Sequence, residues 1–308
     1  FLGVLKNRGV AGVAFALTSS TLYGITPIFV HAAYDRGADP FGLMTARYAI
    51  SAAVLLVIRF VHVGLRKWPE RKTSLQLFLL GALGLYGNGV CVFSALDRMD
   101  SGLVMVLFYF YPMIVVLLAW LFYRHKPASI IWPCLVATIG GVALTASDVS
   151  SAEASGIVFI IVGALIYAVY SVLGSRVMPR TDLLTGLWLV FAGAAFSFAM
   201  MWLLDPPGIP STMPMNAIAW WSAVEIALVG TIVAMGAFFA GMNRIGASNS
   251  AVIQTFEVII TIGMGIAFLN ESLTARQVLG TVLILGGVAV LARAEAKRTS
   301  GVGDGLHP

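Results

Sequence analysis

Gly140-Gly141-Val142-Ala143, near the middle of the chain, returns as Gly286-Gly287-Val288-Ala289, 146 positions later (286 − 140). Arg98 and Arg244 keep the same offset, and each precedes a long apolar run. Between those anchors Val106 repeats as Val252, Phe110 as Phe256, Ile114 as Ile260, Phe122 as Phe268 and Val136 as Val282. A small apolar alphabet matches itself by accident at scattered positions. It does not hold one register, without a gap, from Arg98 to Ala143. Duplicated blocks of apolar spans are the mark of secondary transporters, whose substrate site lies where the two repeats meet.

Composition fixes the class. Hydrophobic residues make up 59% of the 308 positions and charged ones 11%, against about 25% charged in a soluble domain. With a mean hydropathy of +0.92, the chain reads as an integral membrane protein. Its pI of about 9.4 does not point to nucleic acid, because the basic residues are spread between apolar runs instead of forming one patch. Cys91 and Cys134 both fall inside apolar runs and read as small core residues, not as a disulfide. Lys6 and Arg8 ahead of an apolar stretch imitate a signal peptide. That stretch runs on to about Ala33 with no small-residue cleavage site, so it is expected to stay as a span.

A span needs roughly 20 apolar residues to cross a hydrocarbon core of about 30 Å. Breaking the sequence at its charged, Gly and Pro clusters predicts ten, at about 10–33, 40–61, 75–96, 101–123, 129–147, 156–178, 183–204, 217–243, 247–269 and 275–293. The expected fold is therefore all-α, ten transmembrane helices arranged as two inverted five-helix repeats. Residues 1–150 form the first repeat, 151–296 the second, and 297–308 a disordered cytoplasmic tail.

The charges orient this layout. Of 19 Lys and Arg, Arg36, Arg98 and Arg276 fall on one side and Arg47 within a span, which leaves 15, Arg59 among them, on the other. The positive-inside bias predicts that both termini are cytoplasmic in a multi-pass plasma (inner) membrane protein. Five spans per repeat is an odd number, so the second copy enters the bilayer upside down.

The stretch from Gly241-Met242-Asn243-Arg244 through Ala247-Ser248-Asn249-Ser250-Ala251 leads into Phe256-Glu257. Glu271-Ser272-Leu273-Thr274, Gln277, Gly280 and Gly286-Gly287-Val288 follow. With Arg47 and Ala52 in the second span and Arg98 through Pro112 in the hairpin from the third span to the fourth, this pattern resembles the EamA-type drug/metabolite transporters. Within them it looks most like the YddG-type aromatic amino-acid exporters. The resemblance covers nearly the whole chain and implies ten helices in two inverted repeats. Val258, where many relatives carry Pro, and Arg124-His125-Lys126-Pro127, in place of an acidic turn, depart from the pattern.

Several in-span residues are candidates for the site. Glu257 is placed near the bilayer midplane, where an unpaired carboxylate costs several kcal/mol. It carries either transport chemistry or a structural hydrogen bond to a neighbouring helix. Glu225 is the second intramembrane acid, with the structural reading in front. Arg47 is expected to form an ion pair or a carbonyl clamp, with binding of a substrate carboxylate as the sharper alternative. His31 reads as a satisfied interfacial residue. By the offset of 146, Phe108 and Tyr111 map onto Gln254 and Glu257, and each pair, spaced i, i+3, is expected on one helix face. An aromatic wall facing a polar one suits a ligand with an apolar body and an ammonium group, although an aromatic run packed on lipid is the commoner arrangement. Tyr23, Tyr167 and Tyr170 are approximate repeat mates that extend the lining, and Asn88 either glues helices or binds substrate. Pro112 is the expected hinge.

The four His residues (31, 62, 125 and 307) are scattered, and no metal, P-loop or nucleophile motif stands out, so the sequence calls for no enzyme, cofactor or metal. Nothing in it demands an obligatory protein partner; the expected partners are the bilayer and a small-molecule substrate. The reading is an alternating-access exporter of small metabolites, amino acids first, with aromatic and apolar side chains preferred. A purine or drug exporter and a channel-like facilitator are the alternatives.

Overall fold

The computed structural model describes residues 2–64, 68–123, 129–145, 151–204, 213, 216–245, 253–254, 256–268 and 273–303. Among these residues every regular element is helical. Seven helical stretches are long and apolar enough to cross a membrane: Val10–Tyr34, Phe41–His62, Arg71–Leu96, Ser101–Phe122, Ala154–Arg180, Leu183–Leu204 and Ala217–Gly241. Three shorter apolar helices, Trp132–Gly141, Phe256–Phe268 and Ala275–Val290, lie where the fifth, ninth and tenth spans are expected. Outside the described residues fall most of the 205–215 loop, Arg124–Ala128, the Ala247–Ala251 motif and Glu271-Ser272.

In chain order the helices are α1 (Leu2–Tyr34), α2 (Pro40–His62), α3 (Arg71–Leu79), α4 (Tyr86–Leu96), α5 (Ser101–Phe108), α6 (Tyr111–Tyr123) and α7 (Ile131–Thr145). There follow α8 (Ser151–Val177), α9 (Leu183–Leu204), α10 (Ala217–Ala227), α11 (Ala234–Ile245), α12 (Phe256–Phe268) and α13 (Ala275–Gly303). A π-helical segment, Leu80–Leu85, joins α3 to α4, and a second, Leu228–Val233, joins α10 to α11. Asp39 caps α2, accepting from the amides of Phe41 and Gly42, with Pro40 at the first turn where no donor is needed.

The packing is a lattice of helix pairs: α1 with α11 and α12, α8 with α4 and with α5 and α6, α2 with α9, and α7 with α13. α9 also lies against α3 and the first π segment, and α2 against α10 and the second. Close approach at the first of these joints needs glycine. A Cβ on Gly81 would collide with the Val190 carbonyl, and one on Gly193 with the Phe78 carbonyl. Leu121, Val136, Leu204 and Trp221 point outward, each more than two-thirds exposed, as expected of side chains that face lipid.

Three expectations change. The fourth span is not continuous: α5 ends at Phe108 and α6 begins at Tyr111. Pro112 has no N–H to bond the Phe108 carbonyl, and that missing bond falls at the break. At the other end of the chain, α13 carries on through Lys297 and Arg298 to Gly303, where a disordered tail was expected. Ala294-Glu295-Ala296-Lys297-Arg298 is a run of strong helix formers that propagates an existing helix. Arg59, counted with the loop charges, is 1% exposed. It donates to Thr185 Oγ1 at 2.8 Å and to the Gly64 carbonyl at 3.0 Å. Its guanidinium also stacks 3.9 Å from the Trp68 ring centre, so a ring and carbonyl and hydroxyl dipoles stabilise its charge inside the protein.

Candidate substrate site

Glu257 stands in the first turn of α12, and its carboxylate meets a residue that the sequence did not single out. The Tyr109 hydroxyl, carried on the break between α5 and α6, donates to Glu257 Oε2 at 2.8 Å and also contacts the Gln254 carbonyl. On a helix Tyr109 falls about 100° from Phe108 and about 160° from Tyr111, off the face expected for those two. It closes α5, its N–H bonded to the Met105 carbonyl at 3.1 Å, and it is 2% exposed. Pro112, one position after Tyr111, was the signal available in the sequence.

Phe108 and Tyr111, expected on one helix face, flank the break and end up on two helices, α5 and α6. Their rings still meet, with centres 5.2 Å apart, and both pack on Tyr167 of α8, at 5.3 and 4.9 Å. Tyr170 continues the cluster one turn along α8, 5.6 Å from Tyr167. Tyr23 of α1 lies within electrostatic range of Tyr167, Tyr170, Glu257 and Arg47. Phe108, Tyr111, Tyr167, Tyr23, Arg47 and Glu257 each keep part of their surface accessible. The break and α8 thus bring Phe108, Tyr111, Tyr167 and Tyr170 into one aromatic cluster, and Tyr23 lies within range of it and of both Glu257 and Arg47.

Gln254 is 4% exposed; Nε2 donates to Ser19 Oγ on α1 at 3.0 Å, and Oε1 has no hydrogen-bond partner among the described residues. Thr261 reaches the same helix, donating to the Gly24 carbonyl at 3.2 Å. These bonds hold the chain to α1 on either side of Glu257.

Arg47 acts as a carbonyl and hydroxyl clamp. Nε donates to Thr231 Oγ1 at 2.7 Å and Nη2 to the Gly230 carbonyl at 3.4 Å, within the second π segment. Glu225 is electrostatically coupled to Arg47, yet its Oε2 is buried with no partner among the described residues. Asn88 belongs to a different contact, α4 against α8, where a Cβ on Gly163 would sit 3.7 Å from its Oδ1. That oxygen also has no described partner. The interfacial pairing expected for His31 is missing too: Nε2 is buried without a described partner, and its ring stands edge-on to Tyr34 at 6.2 Å.

The EamA-like transporter family matches this chain twice, over residues 10–147 and again over 154–293. The chain is similar to the uncharacterized transporter YyaM of Bacillus subtilis, 25% identical over 255 residues that cover 79% of this chain and 81% of that one. A second Bacillus subtilis relative, the uncharacterized transporter YcbK, is 25% identical over 290 residues, 89% of this chain and 90% of its own. The uncharacterized inner membrane transporter YedA of Escherichia coli is 22% identical, with 81% of each chain covered. A solved crystal structure superposes with a TM-score of 0.66 at 20% identity, covering 94% of this chain and 99% of the other; that likeness is one of fold.

Proposed function

The chain belongs to the EamA-like transporter family, and from that premise we propose an exporter of small metabolites, amino acids with apolar or aromatic side chains first, working by alternating access. One observation carries the proposal. The Tyr109 hydroxyl bonds the Glu257 carboxylate, and the Tyr109 ring packs on Tyr111, which meets Phe108 and Tyr167 in the aromatic cluster. An aromatic wall favours apolar side chains by area burial, and a carboxylate beside it accepts an amine or a proton.

Alternating access needs two halves that exchange roles, and the helix packing supports that symmetry. The two π segments are 148 residues apart (228 − 80). Ser51 donates to the Ala227 carbonyl at 3.2 Å and its repeat mate Ser197 to the Ala82 carbonyl at 2.8 Å. The pair α1–α11 has its counterpart in α8–α4, and α1–α12 in α8 with α5 and α6. The double family match falls on the same division. On this reading residues 1–150 and 151–296 are the inverted halves, both termini are cytoplasmic, and the protein sits in the plasma (inner) membrane. Pro112 and the break beside it serve as the hinge.

The deciding experiment is counterflow in proteoliposomes against labelled amino acids, purines and cationic drugs. Exchange of phenylalanine or leucine is the expected result. Exchange confined to purines or drugs would move the protein to another substrate class within the family.

A further inference from the structure

Arg47 and its repeat mate Gly193 (193 − 47 = 146) meet the two π segments in opposite ways. At Gly193 backbone meets backbone: the position where its Cβ would stand is blocked by the Phe78 carbonyl and lies 2.9 Å from the Ala82 amide nitrogen. At Arg47 a guanidinium enters the second π segment instead, bonded to Thr231 and Gly230. The Tyr48 and Phe93 ring centres lie 5.3 and 5.9 Å from its central carbon. The group is thus fixed along its Nε–Nη2 edge, while Nη1 bonds to none of the described residues. Glu225, just before that π segment, holds its Oε2 buried without a described partner, near enough to Arg47 to feel its charge without bonding it. Both side chains keep some accessible surface.

A positively charged donor and a negatively charged acceptor, each with one atom left open and not closed on each other, match a guest that carries both opposite charges on neighbouring groups. We infer that Arg47 and Glu225 hold the head of an α-amino acid, its carboxylate on Arg47 Nη1 and its ammonium on Glu225 Oε2. This assignment rests on the amino-acid reading above and makes it specific. Tyr23, within range of Arg47 as well as Tyr167 and Tyr170, then leads the guest's side chain into the aromatic cluster. Glu257 is left to carry a proton. Because the repeat mate of Arg47 is a glycine packed against backbone, the first π segment offers no second seat, and the substrate enters in one orientation.

The test is inhibition of labelled phenylalanine counterflow by phenylalanine, by 2-phenylethylamine and by 3-phenylpropionate, in wild type, R47Q, R47K, E225Q and T231V. In wild type phenylalanine, with both head charges, should inhibit more strongly than either single-charge analogue. R47Q should weaken phenylalanine and phenylpropionate by about 30-fold, the scale of removing one partner of a buried charge pair, and leave phenylethylamine as it was. R47K should recover part of that loss. E225Q should spare phenylpropionate and weaken the other two. T231V removes the clamp's hydroxyl without touching Nη1, so it should leave the order of the three inhibitors unchanged. Equal loss for all three compounds in R47Q, matched by T231V, would make Arg47 a clamp only and overturn the inference while amino-acid transport stands. Equal inhibition of wild type by all three would overturn it as well. No inhibition of wild type by any amino acid would remove the amino-acid reading itself.

Discussion

The Tyr109 hydroxyl touches two acceptors at once, Glu257 Oε2 at 2.8 Å and the Gln254 carbonyl. A phenol has one hydrogen to give. Both contacts are hydrogen bonds when Glu257 itself supplies a proton to the Tyr109 oxygen and Tyr109 donates to the carbonyl. The break in the fourth span is thereby joined to α12 through a group whose bonding depends on whether Glu257 is loaded.

Tyr109→Phe keeps the ring and its packing but removes that link. One buried acceptor loses its donor, and a protonated Glu257 loses the oxygen that accepts its proton, at about 1–3 kcal/mol each. The expected outcome is a folded protein with a lower melting temperature in detergent and counterflow reduced at least several-fold. Wild-type flux in the Phe variant would make the contact incidental.

Glu257→Gln and Glu257→Leu separate charge from volume. The Gln amide can still donate to Tyr109 but cannot exchange a proton; Leu can do neither. Both variants should insert and fold, with the Tyr109 hydroxyl still held by the Gln254 carbonyl, and both should lose most transport. Retained flux in the Leu variant would return Glu257 to a structural role. Wild-type flux that does not change with pH would remove the proton from the cycle.

Much of this was legible in the sequence because bilayer chemistry writes itself there. The helical class follows from long apolar runs, since a chain in hydrocarbon must satisfy its backbone internally, and the offset that pairs Ser51 with Ser197 already marks equivalent positions. What the sequence left hidden is directional. A reading by helical period assumes an unbroken helix, so it placed Phe108 and Tyr111 on one face and passed over Tyr109. The π segments were hidden for a similar reason: one extra residue per turn changes no composition. Leu80–Leu85 and Leu228–Val233 read as ordinary apolar helix until the partners of Arg47 and the collision at Gly81 are seen.

Orientation can be checked without transport. The 15 basic residues assigned to one side, against three on the other, predict that single cysteines in the Asp35–Asp39 and Asp205–Asn216 loops react with an impermeant maleimide from outside. Cysteines in the Arg66–Lys72 loop should not react. Burial of Arg59 removes one charge from the surface and leaves the bias intact. Labelling of all three loops from one side would rule out the inverted repeat.

The aromatic cluster makes a prediction about side-chain size. Tyr111 has ring neighbours in Phe108, Tyr109 and Tyr167 and keeps part of its surface accessible, so it either touches the guest or props the break beside Pro112. Truncation to Ala distinguishes these roles. If Tyr111 lines the site, losing its contact should weaken competition by aromatic and branched amino acids by about 1–3 kcal/mol, the scale of one large apolar contact at about 25 cal/mol per Å². Glycine and serine, with little side chain to bury, should change far less. The measurement is inhibition of labelled phenylalanine counterflow by a graded series from glycine to tryptophan, in wild type and Tyr111→Ala. An equal loss across the series would make Tyr111 a support for the break, because a misplaced helix lowers affinity for every guest alike. A loss that grows with side-chain area would make it a wall of the site, and the slope against area would measure how much of each guest that wall covers.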